Sequence, residues 1–151
     1  MLSNLDLSAN INLKEISLIG GDITTVNLPK STHVERIQIN QTKLSAIDIS
    51  NSPNLRRLDL EGNNLQSLDV SKNKELRYIS VGWNAIKQLA MNKILEDLPS
   101  RTAADNATIW IDDRSSGPLG NMVERNEKPN AEAIAKGKSK NWNLFSSIGV
   151  L

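Results

Sequence analysis

The chain has 151 residues, with 18 Lys and Arg against 17 Asp and Glu, a formal net charge of +1, and no cysteine. That balance gives no electrostatic footprint for nucleic acid, and the missing cysteines exclude disulfides and thiol chemistry. No apolar run approaches the roughly 18 residues that a membrane span needs, so no membrane insertion is expected of this segment.

Leu5-Asp6-Leu7-Ser8 opens a phrase that returns as Val26-Asn27-Leu28-Pro29, Ile47-Asp48-Ile49-Ser50 and Leu68-Asp69-Val70-Ser71, always 21 residues on, and fades at Leu89-Ala90-Met91-Asn92. A fixed period of this length marks supersecondary units that bury their apolar sides only by stacking. Between the phrases four columns stay apolar: Leu13, Val34, Leu55, Leu76; Ile16, Ile37, Leu58, Ile79; Leu18, Ile39, Leu60, Val81; and Ile23, Leu44, Leu65, Ile86. The alternation in the middle of each unit predicts one short strand, and successive strands should pair in parallel about 4.8 Å apart. Asn63 and Asn84 follow their strands, where an amide can satisfy both a donor and an acceptor of a buried turn. Gly21 and Thr42 stand in their place earlier, which predicts looser or differently bonded turns there.

The predicted array covers residues 1–91 in about four to five units, and a mixed α/β C-terminal cap covers 92–151. Met91, Ile94, Leu95 and Leu98 have helical spacing, closed by Pro99. Ala107 to Asp112 restores strand alternation, and the polar stretch from Asp113 to Pro129 reads as loop. Asn130 is positioned to cap a short helix over Ala131 to Lys136 with Gly137 as its stop, before a final strand over Asn141 to Phe145. The fold class expected is an α/β-type solenoid with a parallel sheet and few helices in the repeats.

Leu55 to Leu65 and Leu76 to Ile86 read L-x-x-L-x-L-x-x-N-x-L. Over roughly residues 5 to 91 the chain resembles the leucine-rich repeat family, particularly the short repeats of bacterial cell-surface proteins of the internalin-like kind. Leu98-Pro99-Ser100-Arg101-Thr102, the Thr108-Ile109-Trp110-Ile111 strand, and Ala133 to Gly137 before Trp142 resemble the closing segment of such surface proteins. The resemblance implies a secreted, extracellular or cell-surface location and a role in adhesion or protein binding. Met1-Leu2-Ser3-Asn4 leads straight into the repeat without a polar end unit. The chain is therefore expected to be the C-terminal portion of a longer protein, or else to pair its open edge with another copy.

The outward column reads Ser17, Gln38, Asp59, Ser80, Trp110 and Asn143, beside Glu15, Arg36, Arg57, Tyr78 and Thr108. Ile19, Asn40, Glu61, Gly82 and Asp112 follow, then Gly20, Gln41, Gly62, Trp83 and Asp113. Three of the five aromatics, Tyr78, Trp83 and Trp110, are thereby placed on neighbouring strands of one face, with Arg36, Arg57 and Asp59 beside them. Aromatics and arginine are the residues enriched at binding hot spots, which makes these six the candidate contact residues for a protein ligand. The alternatives are that Trp83 and Trp110 pack as satellite core and that the arginines pair with Glu15, Asp59 and Glu61.

No catalytic residue, cofactor or metal ligand is assigned. His33 is the single histidine and falls on a connecting turn, without the nucleophile and orienting carboxylate that imidazole catalysis needs. Asp6, Asp48 and Asp69 form a ladder whose carboxylates should accept backbone hydrogen bonds or face water, with calcium as a minor alternative that extends to Asp112-Asp113. Gly20-Gly21 lacks the lysine and the strand-to-helix context of a phosphate loop, and Gly120-Asn121 is loop. Lys136, Lys138 and Lys140 are too few to predict nucleic acid. The glycosylation patterns at Asn40 and Asn106 mean little outside a eukaryotic secretory setting. The expected function is a non-catalytic module for extracellular protein-protein interaction or adhesion through the concave sheet. A structural spacer or assembly unit using the uncapped N-terminal end is the alternative, and a glycan-binding surface is the next. An enzyme ranks last.

Overall fold

The computed structural model describes residues 2–112, 124–146 and 149–151. Strands β1 (Asn4–Asp6) and β3 (Thr25–Asn27) pair in parallel as a small sheet. The main sheet has seven strands, β2 (Glu15–Ile19), β4 (Arg36–Asn40), β5 (Arg57–Asp59), β6 (Tyr78–Ser80), β7 (Thr108–Trp110), β8 (Asn143–Ser146) and β9 (Gly149–Val150), in that spatial order. Every pairing in it is parallel except β8 with β9, and Glu15, Arg36, Arg57 and Tyr78 fall opposite one another at intervals of 21 residues. The chain is thus a β-solenoid of about four turns, with two helices among the described residues, α1 (Gln88–Asp97) and α2 (Ala131–Ser139).

The aligned apolar columns form one core, in which Ile37, Ile39, Leu44, Leu55, Leu58, Leu60, Leu65, Leu76, Ile79 and Ile86 are fully buried. Between the columns the turns are held by amide side chains. Asn63 donates through Nδ2 to the carbonyls of Ile39 (2.7 Å) and Leu60 (3.0 Å), while its Oδ1 accepts from the Leu44 N–H (3.3 Å). Asn84 repeats the pattern one unit later, on Leu60 (2.8 Å), Val81 (3.0 Å) and the Leu65 N–H (2.9 Å). Thr42 is differently bonded, as its departure from asparagine predicts: its hydroxyl donates to Asn63 Oδ1 and faces the Leu44 N–H.

A third rung comes from outside the repeats. Asn126 donates through Nδ2 to Val81 and Ile111 (both 2.8 Å) and accepts from the Ile86 N–H (2.9 Å), the same bonds displaced by one unit. Asn126 thus holds the turn position that Asn63 and Asn84 hold in the earlier units. Of the loop expected over Asp113–Pro129, residues 113–123 lie outside the described residues, and Gly120-Asn121 with them.

The Asp-x-Ser phrase closes a turn of its own. Asp6, Asp48 and Asp69 each accept the N–H of the serine two residues on, at 2.9, 2.9 and 2.8 Å. Hydrogen bonds from Ser8, Ser50 and Ser71 hold all three carboxyls below their usual range, and at Asp48 the charge of Asp69 opposes the shift. The second unit has Asn27 and Pro29 instead; proline has no N–H to offer, and the carboxylate is missing with it.

Both ends of α1 are completed by distant side chains. The helix has no acidic residue in its first turn and no basic one in its last. Glu127 Oε2 accepts the Gln88 N–H at 3.0 Å, and Lys140 Nζ donates to the carbonyls of Glu96 and Leu98, which complements the helix dipole at each end. Helix α2 starts as expected, with Asn130 Oδ1 accepting from the Ala133 N–H at 2.8 Å, but Gly137 does not stop it. A Cβ at Gly137 would lie 3.3 Å from Leu144 Cδ2, so this glycine serves a close approach of helix to strand. The helix ends at Lys140, followed by the left-handed Asn141 (φ 61°).

Candidate functional site

The outward face of the main sheet is set by the residues that alternate with the core columns. Gln38, Asp59, Ser80, Trp110 and Phe145 form its central row, and Glu15, Arg36, Arg57, Tyr78, Thr108 and Asn143 the row beside it. The last strand therefore sits two residues away from the expected register: Asn143 pairs with Thr108, and Phe145 with Trp110. Helix α2 reaches Ser139 and a left-handed turn follows, so the strand begins at Asn143 rather than Asn141.

That register makes an aromatic pair. Trp110 and Phe145 stack with centroids 4.7 Å apart and planes 18° from parallel, and both are half-buried. One strand before Trp110, the Arg57 guanidinium lies over the Tyr78 ring at 3.8 Å, a cation-π contact across β5 and β6. Burial pushes the Tyr78 phenol up, the Asp59 charge adds to this, and Arg57 pulls the other way.

The six expected contact residues divide by burial. Arg36, Arg57, Tyr78 and Trp110 remain partly exposed on this face of the sheet. Arg36 pairs with Glu15 (Nε to Oε1, 3.3 Å) and donates to Gln38 Oε1 at 3.3 Å; Arg57 lies 3.7 Å from Asp59 Oδ2. Asp59 and Trp83 are buried, each 6% exposed, and neither offers surface to a partner.

Trp83 leaves the face for a backbone reason. Its column, Gly20, Gln41, Gly62 and Trp83, has φ of 76°, 57°, 70° and 51°, so each of these residues breaks the strand alternation. The Trp83 N–H donates to Glu124 Oε2 at 2.7 Å, and Arg125 reaches Asn64 Oδ1 at 2.7 Å, which lays the returning segment along this rim. Asp113, expected in the same column, lies outside the described residues.

Phe145 is the contact candidate that sequence reasoning missed; the signal available was its position two residues after Asn143 and one after the buried Leu144. Two polar atoms of the face also stand out. Arg57 Nε and Asp59 Oδ1 are buried without a hydrogen-bond partner among the described residues. Neither atom reaches the surface, so they are an unmatched donor and acceptor within the sheet.

Other groups are committed elsewhere. His33 is exposed on its turn, with Nδ1 3.2 Å from Ser31 Oγ. Asp6, Asp48 and Asp69 each hold a serine N–H, and among the described residues no group of three His, Asp or Glu is placed to share a metal ion. A cleft of about 440 Å³ is lined by Lys74, Arg101 and Lys140 with Glu96 and Asp97. Two of its three cations are engaged: Arg101 donates to the Lys74 carbonyl, and Lys140 to α1. No helix among the described residues is long and apolar enough to cross a membrane.

No known protein family matches this chain, and no curated protein matches it.

Proposed function

We propose that the protein is a non-catalytic binding module that engages a protein ligand through the concave sheet. The observation that carries this reading is the juxtaposition, on adjacent strands, of the Trp110–Phe145 stack and the Arg57–Tyr78 cation-π pair. Aromatic area and arginine are the main sources of affinity at protein interfaces, and here both are fixed on rigid strands before any partner arrives.

The reading extends to class and place. The asparagine turns and the L-x-x-L-x-L-x-x-N-x-L phrase support assignment to leucine-rich repeats of the bacterial surface type, with residues 92–151 as their C-terminal cap and an extracellular or cell-surface location. Selection of a displayed random-peptide library on the whole chain tests the contact face. Enriched peptides should bind at least tenfold more weakly to Trp110→Ala and Arg57→Ala while the circular dichroism stays unchanged. No enrichment, or ligands indifferent to both variants, would refute the concave face as the contact surface. Capture of oligosaccharides in place of peptides would favour a glycan.

A further inference from the structure

The outward face of the main sheet changes character along the solenoid. Arg36 and Arg57 stand directly opposite one another on β4 and β5, and their side chains are 42% and 40% exposed. Like charges at facing positions of neighbouring strands repel, so this pairing costs stability unless an anion lies between them. Among the described residues no carboxylate bridges the two. Glu15 meets Arg36 from β2, on the flank turned away from Arg57, and Asp59 has only 9% of its side chain exposed.

Farther along, the same face is aromatic. Trp110 and Phe145 stack at 4.7 Å on β7 and β8, with Tyr78 on β6 between them and the arginines. Both guanidiniums lean into the central row that Trp110 and Phe145 occupy, Arg36 onto Gln38 and Arg57 toward Asp59. From the middle of the arginine pair to the middle of the aromatic pair is three strand spacings, roughly 14 Å. In an extended peptide, side chains four residues apart share one face at a separation of about 13 Å. Spacings of three or five put the second side chain on the opposite face.

We propose, on the reading of this face as a contact surface, that its ligand is an extended acidic peptide segment lying across the strands. An Asp or Glu carboxylate of the ligand sits between Arg36 and Arg57, and an aromatic side chain four residues away packs against Trp110 and Phe145. Charge complementarity selects this occupant. A guanidinium offers a carboxylate paired N–H donors, and the carboxylate in turn relieves the repulsion between the two arginines. The Arg57 guanidinium is already held over the Tyr78 ring at 3.8 Å, so little ordering remains when the acid arrives. A basic segment meets like charge at the arginines. A neutral glycan uses the aromatic half alone and leaves the cation pair unrelieved.

The probe is a displayed library of random peptides selected on the whole chain, with the enriched peptides then synthesised and measured by fluorescence anisotropy. Asp or Glu four positions from Trp, Phe or Tyr should be enriched. Replacing that acid by its amide in the peptide should weaken binding about fivefold or more, and moving it to a spacing of three or five should weaken binding as much. These changes are made in the peptide and use the parent chain, so their result does not depend on how a variant folds. On the protein side, the double variant Arg36→Gln, Arg57→Gln should weaken the acidic peptide by a similar factor and bind the amide peptide as the parent chain does. Enriched peptides that depend on Trp110 but carry no acid at this spacing overturn the proposal and leave the contact face standing. So does an acid whose removal is equally costly in the double variant. No enrichment at all refutes both.

Discussion

Asn126 stands to Val81 and Ile86 as Asn84 stands to Leu60 and Leu65, with Nδ2 on the carbonyl and Oδ1 on the N–H in each case. The two belong to one ladder although only Asn84 lies within the repeat phrase. Asn84 is fully buried, and its loss leaves several backbone groups unpaired at about 1–3 kcal/mol each, partly relieved by water. Asn84→Ala should therefore cost about 2–4 kcal/mol in urea unfolding, and Asn126→Ala, which is partly exposed, about 1–2 kcal/mol. A cost below about 0.5 kcal/mol for Asn84→Ala would show that the turns close without the amide.

Trp83 combines burial with a left-handed backbone, two properties that separate on substitution. Trp83→Ala loses the packing of a buried tryptophan, about 3–5 kcal/mol, and keeps the strain. Trp83→Gly loses the same packing but regains roughly 1 kcal/mol at φ of 51°. The glycine variant should melt higher than the alanine variant, and the reverse order would contradict the assignment of strain to this residue.

Gly137 tests the helix-to-strand approach. Alanine gains about 1 kcal/mol of helix propensity but crowds Leu144, so Gly137→Ala should fall within about 1 kcal/mol of the parent chain. Gly137→Val cannot be accommodated the same way and should cost about 1–3 kcal/mol. Equal stability of the two variants would mean that α2 and β8 can separate freely.

Asp6, Asp48 and Asp69 predict an acid limb. Their folded pKa values are lowered, so their contribution is present above the unfolded carboxylate value of about 4 and is lost as pH falls through the folded values. Asn at these positions still accepts the serine N–H but does not titrate. The double variant Asp48→Asn, Asp69→Asn should flatten the loss of stability below pH about 4, followed by thermal melts, and an unchanged slope would assign the limb to other carboxylates.

Lys140 offers a test of the completed helix. Lys140→Met keeps much of the buried stem and removes the bonds to Glu96 and Leu98, which should cost about 0.5–2 kcal/mol and speed amide exchange in the last turn of α1. Unchanged exchange there would leave α1 independent of this lysine.

The solenoid was legible because its determinants are periodic: a column that stays apolar every 21 residues can be read without knowing any contact. The parallel register from Glu15 to Tyr78 follows directly. What escaped depends on groups distant in sequence. Glu127 and Lys140 complete a helix that carries no signal of its own at either end, and Asn126 enters the ladder from outside the repeat phrase. Gly137 looked like a helix stop because a glycine that admits a close neighbour and one that ends a helix are the same letter. Within the candidate face, Arg36, Arg57, Tyr78 and Trp110 were readable from strand alternation. Trp83 was misplaced because alternation assumes negative φ, and Phe145 was missed because the end of α2 sets the start of β8.

The rung made by Asn126 has an evolutionary reading. Its partners, Val81, Ile86 and Ile111, all precede Asp112 in sequence, so the turn is sealed whatever number of residues stands between Asp112 and Glu124. Loop closure costs only about 0.6 kcal/mol more per doubling of length. Exchange or extension of that sequence should therefore leave the rung, and the stack it seals, in place.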